Sequence, residues 1–307
     1  MRAKVVMIEA GNADQGQRID NYLFKYFKRV PKSRVYRAIR GGEVRINGKR
    51  VKAVYKLIEG DVIRVPPIQQ AVDDGDEAQL IIGQKEKDDM KARIIYEDDQ
   101  YIIFNKNSGE AVHKGSGIKI GLIDKFQCVY GKEIYLAHRL DKDVSGCIML
   151  TKNREAKKEI QAVWGTNKVE KKYWALVFLD SNTNKKEGDV FDINLSLKSE
   201  NGKMQNARSE IEVLEVCSGY ALLEVSLKTG RKHQIRRHLS ESGMPIVGDC
   251  KYGNFSENKS FVKNNGEGRL MLHARSLKID KKDGVFCIAE ISKDFNMVLK
   301  LLGLKNK

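Results

Sequence analysis

The chain has 307 residues, room for one sizeable core and a small appended module, and its 56 Lys and Arg against 41 Asp and Glu leave a net charge of +15. That excess favours a polyanionic partner. No run approaches the ~20 apolar residues that cross a bilayer, Met1 to Gly11 lacks the apolar stretch of a signal peptide, and the 5 cysteines are scattered without a Cys-x-x-Cys spacing. A soluble cytoplasmic protein with reduced, mostly buried thiols is expected, without disulfides, a zinc site or a membrane partner.

Residues 1–66 hold 16 basic and 6 acidic side chains, residues 67–90 hold 2 and 7, and the remainder 38 and 28. Two basic bodies flank an acidic spacer. In the first body, Ile19, Leu23 and Phe27 recur at helical spacing, and a second helix starting at Pro31 and Ser33 runs to Arg40 before Gly41-Gly42. Val44-Arg45-Ile46 then leads into Asn47-Gly48, a strong hairpin signal, with a return through Val51 and a last strand at Val62-Ile63-Arg64-Val65. Lys32, Arg34, Arg37, Arg40, Arg45, Lys49 and Arg50 gather on the second helix and the hairpin with acids nearly absent, whereas an ordinary solvated face mixes its signs. Pro66-Pro67 and the acidic stretch through Asp89 read as a linker over 67–91, with Leu80-Ile81-Ile82 as a candidate short strand.

From Ala92 onward the pattern is strand-rich. Ile94-Ile95-Tyr96 and Tyr101-Ile102-Ile103-Phe104 predict a hairpin, Asn153 a cap for a helix striped by Ala156, Ile160, Val163 and Trp164, and Tyr173 to Leu179 a central strand apolar on both faces. A second hairpin spans Glu210–Cys217 and Tyr220–Leu227 across Ser218-Gly219, followed by a helix from Lys232 to Ser242 stopped by Gly243. The expected fold is α+β, with a largely antiparallel mixed sheet flanked by helices over 92–307.

Some chemistries are excluded first. Gly42 to Lys49 misses the phosphate-loop pattern in spacing and lacks its Ser or Thr, the 5 histidines form no metal-binding arrangement, and no nucleotide-cofactor fingerprint occurs. A reaction without metal or cofactor is implied. Polar residues concentrate instead in His138-Arg139-Leu140-Asp141-Lys142-Asp143-Val144-Ser145-Gly146 before an apolar strand, and in Thr229-Gly230-Arg231-Lys232-His233-Gln234-Ile235-Arg236-Arg237-His238 at a helix start. From composition alone these are equally a salt-bridged turn and a basic helix.

Arg18-Ile19-Asp20, Lys32-Ser33-Arg34, Ile39-Arg40-Gly41-Gly42 and Val44-x-Ile46-Asn47-Gly48-Lys49 resemble an S4 RNA-binding domain. The His138 to Gly146 segment resembles the signature of the RluA/RluC/RluD family of pseudouridine synthases. Ala111-Val112-His113-x-Gly115-Ser116-Gly117, Lys171-x-Tyr173-x-Ala175-x-Val177 and Gly230-Arg231-x-His233-Gln234-Ile235-Arg236-x-His238 follow in the family's order, nearest to its RluC type. Asn107 departs from the family's usual Pro, and Glu290-Ile291-Ser292 lacks the usual Ala-Pro. The resemblance implies isomerisation of uridines in 23S ribosomal RNA by a monomer without a small-molecule cofactor.

It also implies roles. Asp141 is the catalytic carboxylate, Tyr173 stacks on the uracil and assists proton loss from C5, and Arg236 holds Asp141 ionised. Arg139 enters the RNA where the base is extruded, with His138, Lys171, Arg231 and Gln234 as further RNA contacts. Asp143 is assigned to structural pairing, because the isomerisation needs no second carboxylate. A glycosylase releasing free uracil and a non-catalytic assembly factor are the rival readings.

Overall fold

A computed structural model describes residues 5–27, 30–68, 80–115, 118, 120–180, 183–199, 201–280 and 284–305. The chain forms two compact units, residues 1–79 and 80–307.

In the first unit, β1 (Val6–Glu9), α1 (Ile19–Tyr26), α2 (Lys32–Arg40), β2 (Arg45–Ile46), β3 (Lys49–Arg50) and β4 (Val62–Val65) follow in order. The two helices pack through Ile19, Leu23, Val35, Ala38 and Ile39 onto Ile46 and Ile63 of a sheet ordered β1-β4-β2-β3. Asn47 and Gly48 both adopt positive φ (49° and 77°), the geometry of a tight two-residue hairpin. β1 is an addition to the expected elements, since Val6-Met7-Ile8-Glu9 shows no clean alternation and the strand exists through its pairing with β4.

The second unit opens on α3 (Gln84–Ala92), so the expected linker is corrected at its C-terminal end. Ile82 and Met90 are buried in the larger core, which offsets the cost of ordering an otherwise polar segment. Leu80-Ile81-Ile82 is not a strand, and residues 69–79 lie outside the described residues.

Then come β5 (Ile94–Glu97), β6 (Tyr101–Lys106), α4 (Leu122–Tyr130), β7 (Tyr135–Leu136), β8 (Ser145–Thr151), α5 (Arg154–Val163), β9 (Val169–Phe178), β10 (Val190–Lys198), β11 (Met204–Cys217) and β12 (Tyr220–Leu227). α6 (Gln234–Glu241), α7 (Phe255–Asn265), β13 (Leu272–Ile279), β14 (Val285–Ile288) and α8 (Lys293–Leu301) complete it. The sheet runs β10-β11-β12-β9-β13-β8-β6-β5, with β14 beside β13 and β7 beside β8, and β13–β8 is its parallel pair. Every residue of β9 from Tyr173 to Phe178 is buried, as its unbroken apolar run predicts. Asn153 Oδ1 caps α5 by accepting from the Ala156 N–H at 2.7 Å.

The parallel pair explains one residue of the His138 to Gly146 segment. Gly146 has φ 106° and lies against the Ala274 backbone of β13, so a Cβ there would collide with the Ala274 carbonyl. The thiols are less buried than expected: Cys147 and Cys287 are buried, while Cys128 and Cys250 are exposed at loop and helix surfaces.

Candidate active site

The loop between β7 and β8 buries Leu140 and Val144 as apolar anchors and turns Arg139 and Asp141 outward. A Val144 N–H to Asp141 carbonyl bond of 3.2 Å closes the turn. Beneath it Lys106, with no exposed surface, donates to the carbonyls of Asn107, Glu110 and Lys142 at 2.9, 3.0 and 2.9 Å. Burial lowers the Lys106 pKa to about 8, and the three carbonyls hold the ammonium in place. At the far end of the loop, Ser145 Oγ accepts from Arg269 at 2.7 Å and bonds His273 Nδ1 at 2.9 Å, and Arg269 pairs with Asp294 of α8.

Asp141 stands where two cavities meet. A groove of about 890 Å³ is lined by Lys114, Arg139, Lys142, Lys232, Lys251 and Arg269. A second cavity of about 560 Å³ is lined by Leu140, Val144, Tyr173, Leu227, Ile235 and Leu272. Asp141, His233 and Arg236 border both. Asp141, Asp143 and Asp294 also line the first, which keeps a basic excess, and the second mixes its apolar groups with Arg139, Lys171, Arg231 and Lys232.

Arg236 reaches Asp141 Oδ2 through Nη1 at 3.4 Å, but its main partner is Asp249, bound by Nε at 2.8 Å and Nη2 at 2.7 Å. Asp249 is 1% exposed and also accepts from the Lys251 and Tyr252 N–H groups at 2.9 and 3.0 Å. Burial opposes the charge on both partners, yet their hydrogen bonds outweigh it, so the Arg236 pKa is raised and that of Asp249 lowered. The guanidinium is fixed from behind and points Nη1 toward Asp141.

The pattern describing RNA pseudouridylate synthases matches residues 100–241, and that of the S4 domain residues 17–63. "Ribosomal large subunit pseudouridine synthase C" of Vibrio vulnificus (strain CMCP6) is 38% identical over 285 residues, 91% of this chain and 89% of the relative. The chain belongs to the RNA pseudouridine synthase family. The protein of the same name from Escherichia coli (strain K12) is 36% identical over 90% of this chain and 88% of its own length. Among solved structures, human RNA Pseudouridylate Synthase Domain Containing 4 superposes with a TM-score of 0.58 at 26% identity, covering 71% of this chain and 95% of that one.

In this synthase several of the expected site residues converge. Asp141, Arg236, Tyr173, Arg139, Lys171 and Arg231 all border the second cavity. Burial, with Cys147 and Asp141 nearby, raises the Tyr173 pKa, so its phenol stays neutral at neutral pH. Burial lowers the Lys171 pKa, and its ammonium rests against the Trp164 carbonyl at 3.2 Å and ring.

Two of the expected contacts are already engaged within the protein, and the pairing expected of Asp143 is corrected. Gln234 borders the second cavity but is 3% exposed, and its amide is engaged by Thr229, the Arg231 N–H, the Arg208 carbonyl and Ser209. The His138 ring stacks on Trp164 at 4.4 Å, and Nε2 accepts from the Met149 N–H at 3.0 Å, so its ring serves the loop. Asp143 has no ion pair among the described residues; its backbone carbonyl accepts from Ser108 Oγ at 2.7 Å.

In the S4 unit, Lys32, Arg37, Arg40, Arg45 and Lys49 are exposed, while Arg34 is half-buried and bidentate to Glu43 at 3.1 and 2.8 Å. Arg34 is thus tied to an acid of its own unit. Ser116 and Gly117 lie outside the described residues. Sequence reasoning missed Asp249, Lys106 and Arg269. Lys106 leaves the clearest trace, a lysine two residues beyond the apolar run Tyr101-Ile102-Ile103-Phe104, at the end of the same strand.

Proposed function

We propose that this enzyme converts uridines of large-subunit (23S) ribosomal RNA to pseudouridine, with Asp141 as the reacting carboxylate. The observation that carries the reading is Asp141 itself, a carboxylate held by Arg236 between a basic groove and a cavity fit for a base. Breaking the N1–C1′ bond builds positive charge on the sugar, and a carboxylate meets it by attacking C1′ or removing the C2′ proton. Uracil then turns against Tyr173 and bonds C1′ through C5, as the carboxylate leaves C1′ or C2′ regains its proton; C5 then loses its hydrogen as a proton to water, and N1 gains one.

N1 and C5 are out of reach inside a stacked helix, so the base is extruded, and exposed Arg139 at the mouth of both cavities takes its place. The S4 unit adds phosphate contacts through Lys32, Arg37, Arg40, Arg45 and Lys49. The substrate is encountered in the cytoplasm, and the names of the relatives support ribosomal RNA as its class.

The test is Asp141→Asn, which keeps volume and removes the carboxylate. Tritium release from RNA carrying 5-tritiated uridine should vanish while filter binding of RNA persists. Release near the wild-type rate from a folded, RNA-binding variant would give the chemistry to another residue. Pseudouridine mapping of rRNA from a deletion strain identifies the target positions.

A further inference from the structure

His233 has backbone angles of φ 52° and ψ 30°, a left-handed conformation uncommon for a residue with a side chain, immediately before α6. Such strain persists where the surroundings over-determine it. Here Tyr252 does so: its hydroxyl lies 2.8 Å from His233 Nδ1, and the two rings meet edge-on at 5.5 Å. The opposite nitrogen, Nε2, lies 3.6 Å from Asp141 Oδ2, the same oxygen that Arg236 Nη1 approaches at 3.4 Å.

We infer that His233 is a positioning residue for the isomerisation, locked by Tyr252 so that its Nε2–H and the Arg236 guanidinium together hold one oxygen of Asp141. The inference rests on the reading of Asp141 as the reacting carboxylate. The tautomer follows from the neighbours: a carboxylate facing Nε2 requires the proton there, so Nδ1 accepts from the Tyr252 hydroxyl. With Oδ2 engaged twice, Oδ1 is left to face the ribose.

At 3.6 Å the contact is longer than a hydrogen bond, as catalytic contacts commonly are before substrate closes the site. Both supports come from one turn, in which Asp249 grips Arg236 and Tyr252 orients His233. Burial, against the attraction of Asp141 and with Arg236, Lys251 and Lys232 nearby, lowers the His233 pKa. The imidazole therefore orients Asp141 without adding a charge that would blunt it.

His233→Asn and His233→Gln separate positioning from mere structure. Asn accepts the left-handed backbone readily and places its amide where Nδ1 was, beyond reach of Asp141. Gln is less suited to that backbone but carries an amide N–H to the position of Nε2. The orders of stability and rate should therefore cross. His233→Asn should melt at or above His233→Gln, yet show kcat about 10- to 100-fold below wild type with KM within about twofold, while His233→Gln recovers most of the rate. Tyr252→Phe, which removes only the hydroxyl, should lower kcat about 3- to 10-fold with KM unchanged.

A His233→Asn rate within about twofold of wild type, or rates that simply follow melting temperature, would overturn the inference. Asp141→Asn in the same tritium-release assay separates the two failures. An active Asp141→Asn overturns the parent reading, whereas an inactive one beside a fully active His233→Asn overturns the positioning role alone.

Discussion

Replacing Asp249 by Asn tests whether a carboxylate that never faces the substrate governs both the fold and the site. The wild-type side chain receives four hydrogen bonds, from Arg236 Nε and Nη2 and from the Lys251 and Tyr252 N–H groups. If the retained oxygen takes the place of Oδ1, the bonds from Nη2, Lys251 and Tyr252 persist, but an amide N–H2 then meets Arg236 Nε–H at what was a 2.8 Å contact. The buried guanidinium loses its full counter-charge and keeps only Asp141 at 3.4 Å. Removing one partner of a buried pair costs about 3–5 kcal/mol, and the surviving bonds place this case near 3. At ~2–4 °C per kcal/mol for a unit of this size, the melting temperature should fall roughly 6–12 °C.

Calorimetry on the intact chain measures that fall, and tritium release should drop at least about tenfold as Arg236 loses its fixed orientation. The pH dependence carries a definite sign. The Asp249 carboxyl is lowered in the folded state, so its stabilisation is complete above the ordinary carboxyl value of ~3.9 and is lost as pH falls through the folded value. The gap in stability between wild type and variant should therefore close as pH drops below about 4. A melting temperature within about 2 °C of wild type at neutral pH would refute the reasoning.

Arg139→Ala should slow modification of a structured RNA more than that of a substrate whose uridine is already splayed out, and equal losses in single-turnover assays would count against insertion. Deleting residues 1–66 should weaken RNA binding and flatten its salt dependence, read as the slope of log K against log salt; equal slopes would remove the S4 unit from phosphate contact. Lys106→Met leaves the carbonyls of Asn107, Glu110 and Lys142 without their donor, a loss of about 3 kcal/mol or more in urea unfolding. A change below about 0.5 kcal/mol would mean that water replaces the ammonium.

The elements legible in the sequence were those whose signal is local. Asn47-Gly48 and Ser218-Gly219 specify hairpin turns through backbone preference, Asn153 caps its helix within one turn, and the apolar run of β9 is buried on both faces whatever lies beside it. The helix Gln84–Ala92 was hidden because its composition is that of a linker and its order comes from Ile82 and Met90 docking on a distant core. β1 was hidden for the related reason that its partner, β4, lies 53 or more residues further along the chain.

For the site, Asp141, Arg236 and Tyr173 were singled out by the resemblance of four ordered motifs to a known family, whereas the charge of the S4 unit is plain from its residues. The sequence could not tell which polar residues of those motifs face the groove. Gln234 and His138 look like their neighbours in the string, yet at the cavity wall each is bonded to a partner inside the protein, because helix and loop geometry aim them there. Asp249 and Tyr252 belong to no motif that was read. Only the tertiary structure brings Asp249 to Arg236 and Tyr252 to His233, because pairing buried charges and orienting rings are properties of distance, and distance between segments is set by how the sheet and helices pack.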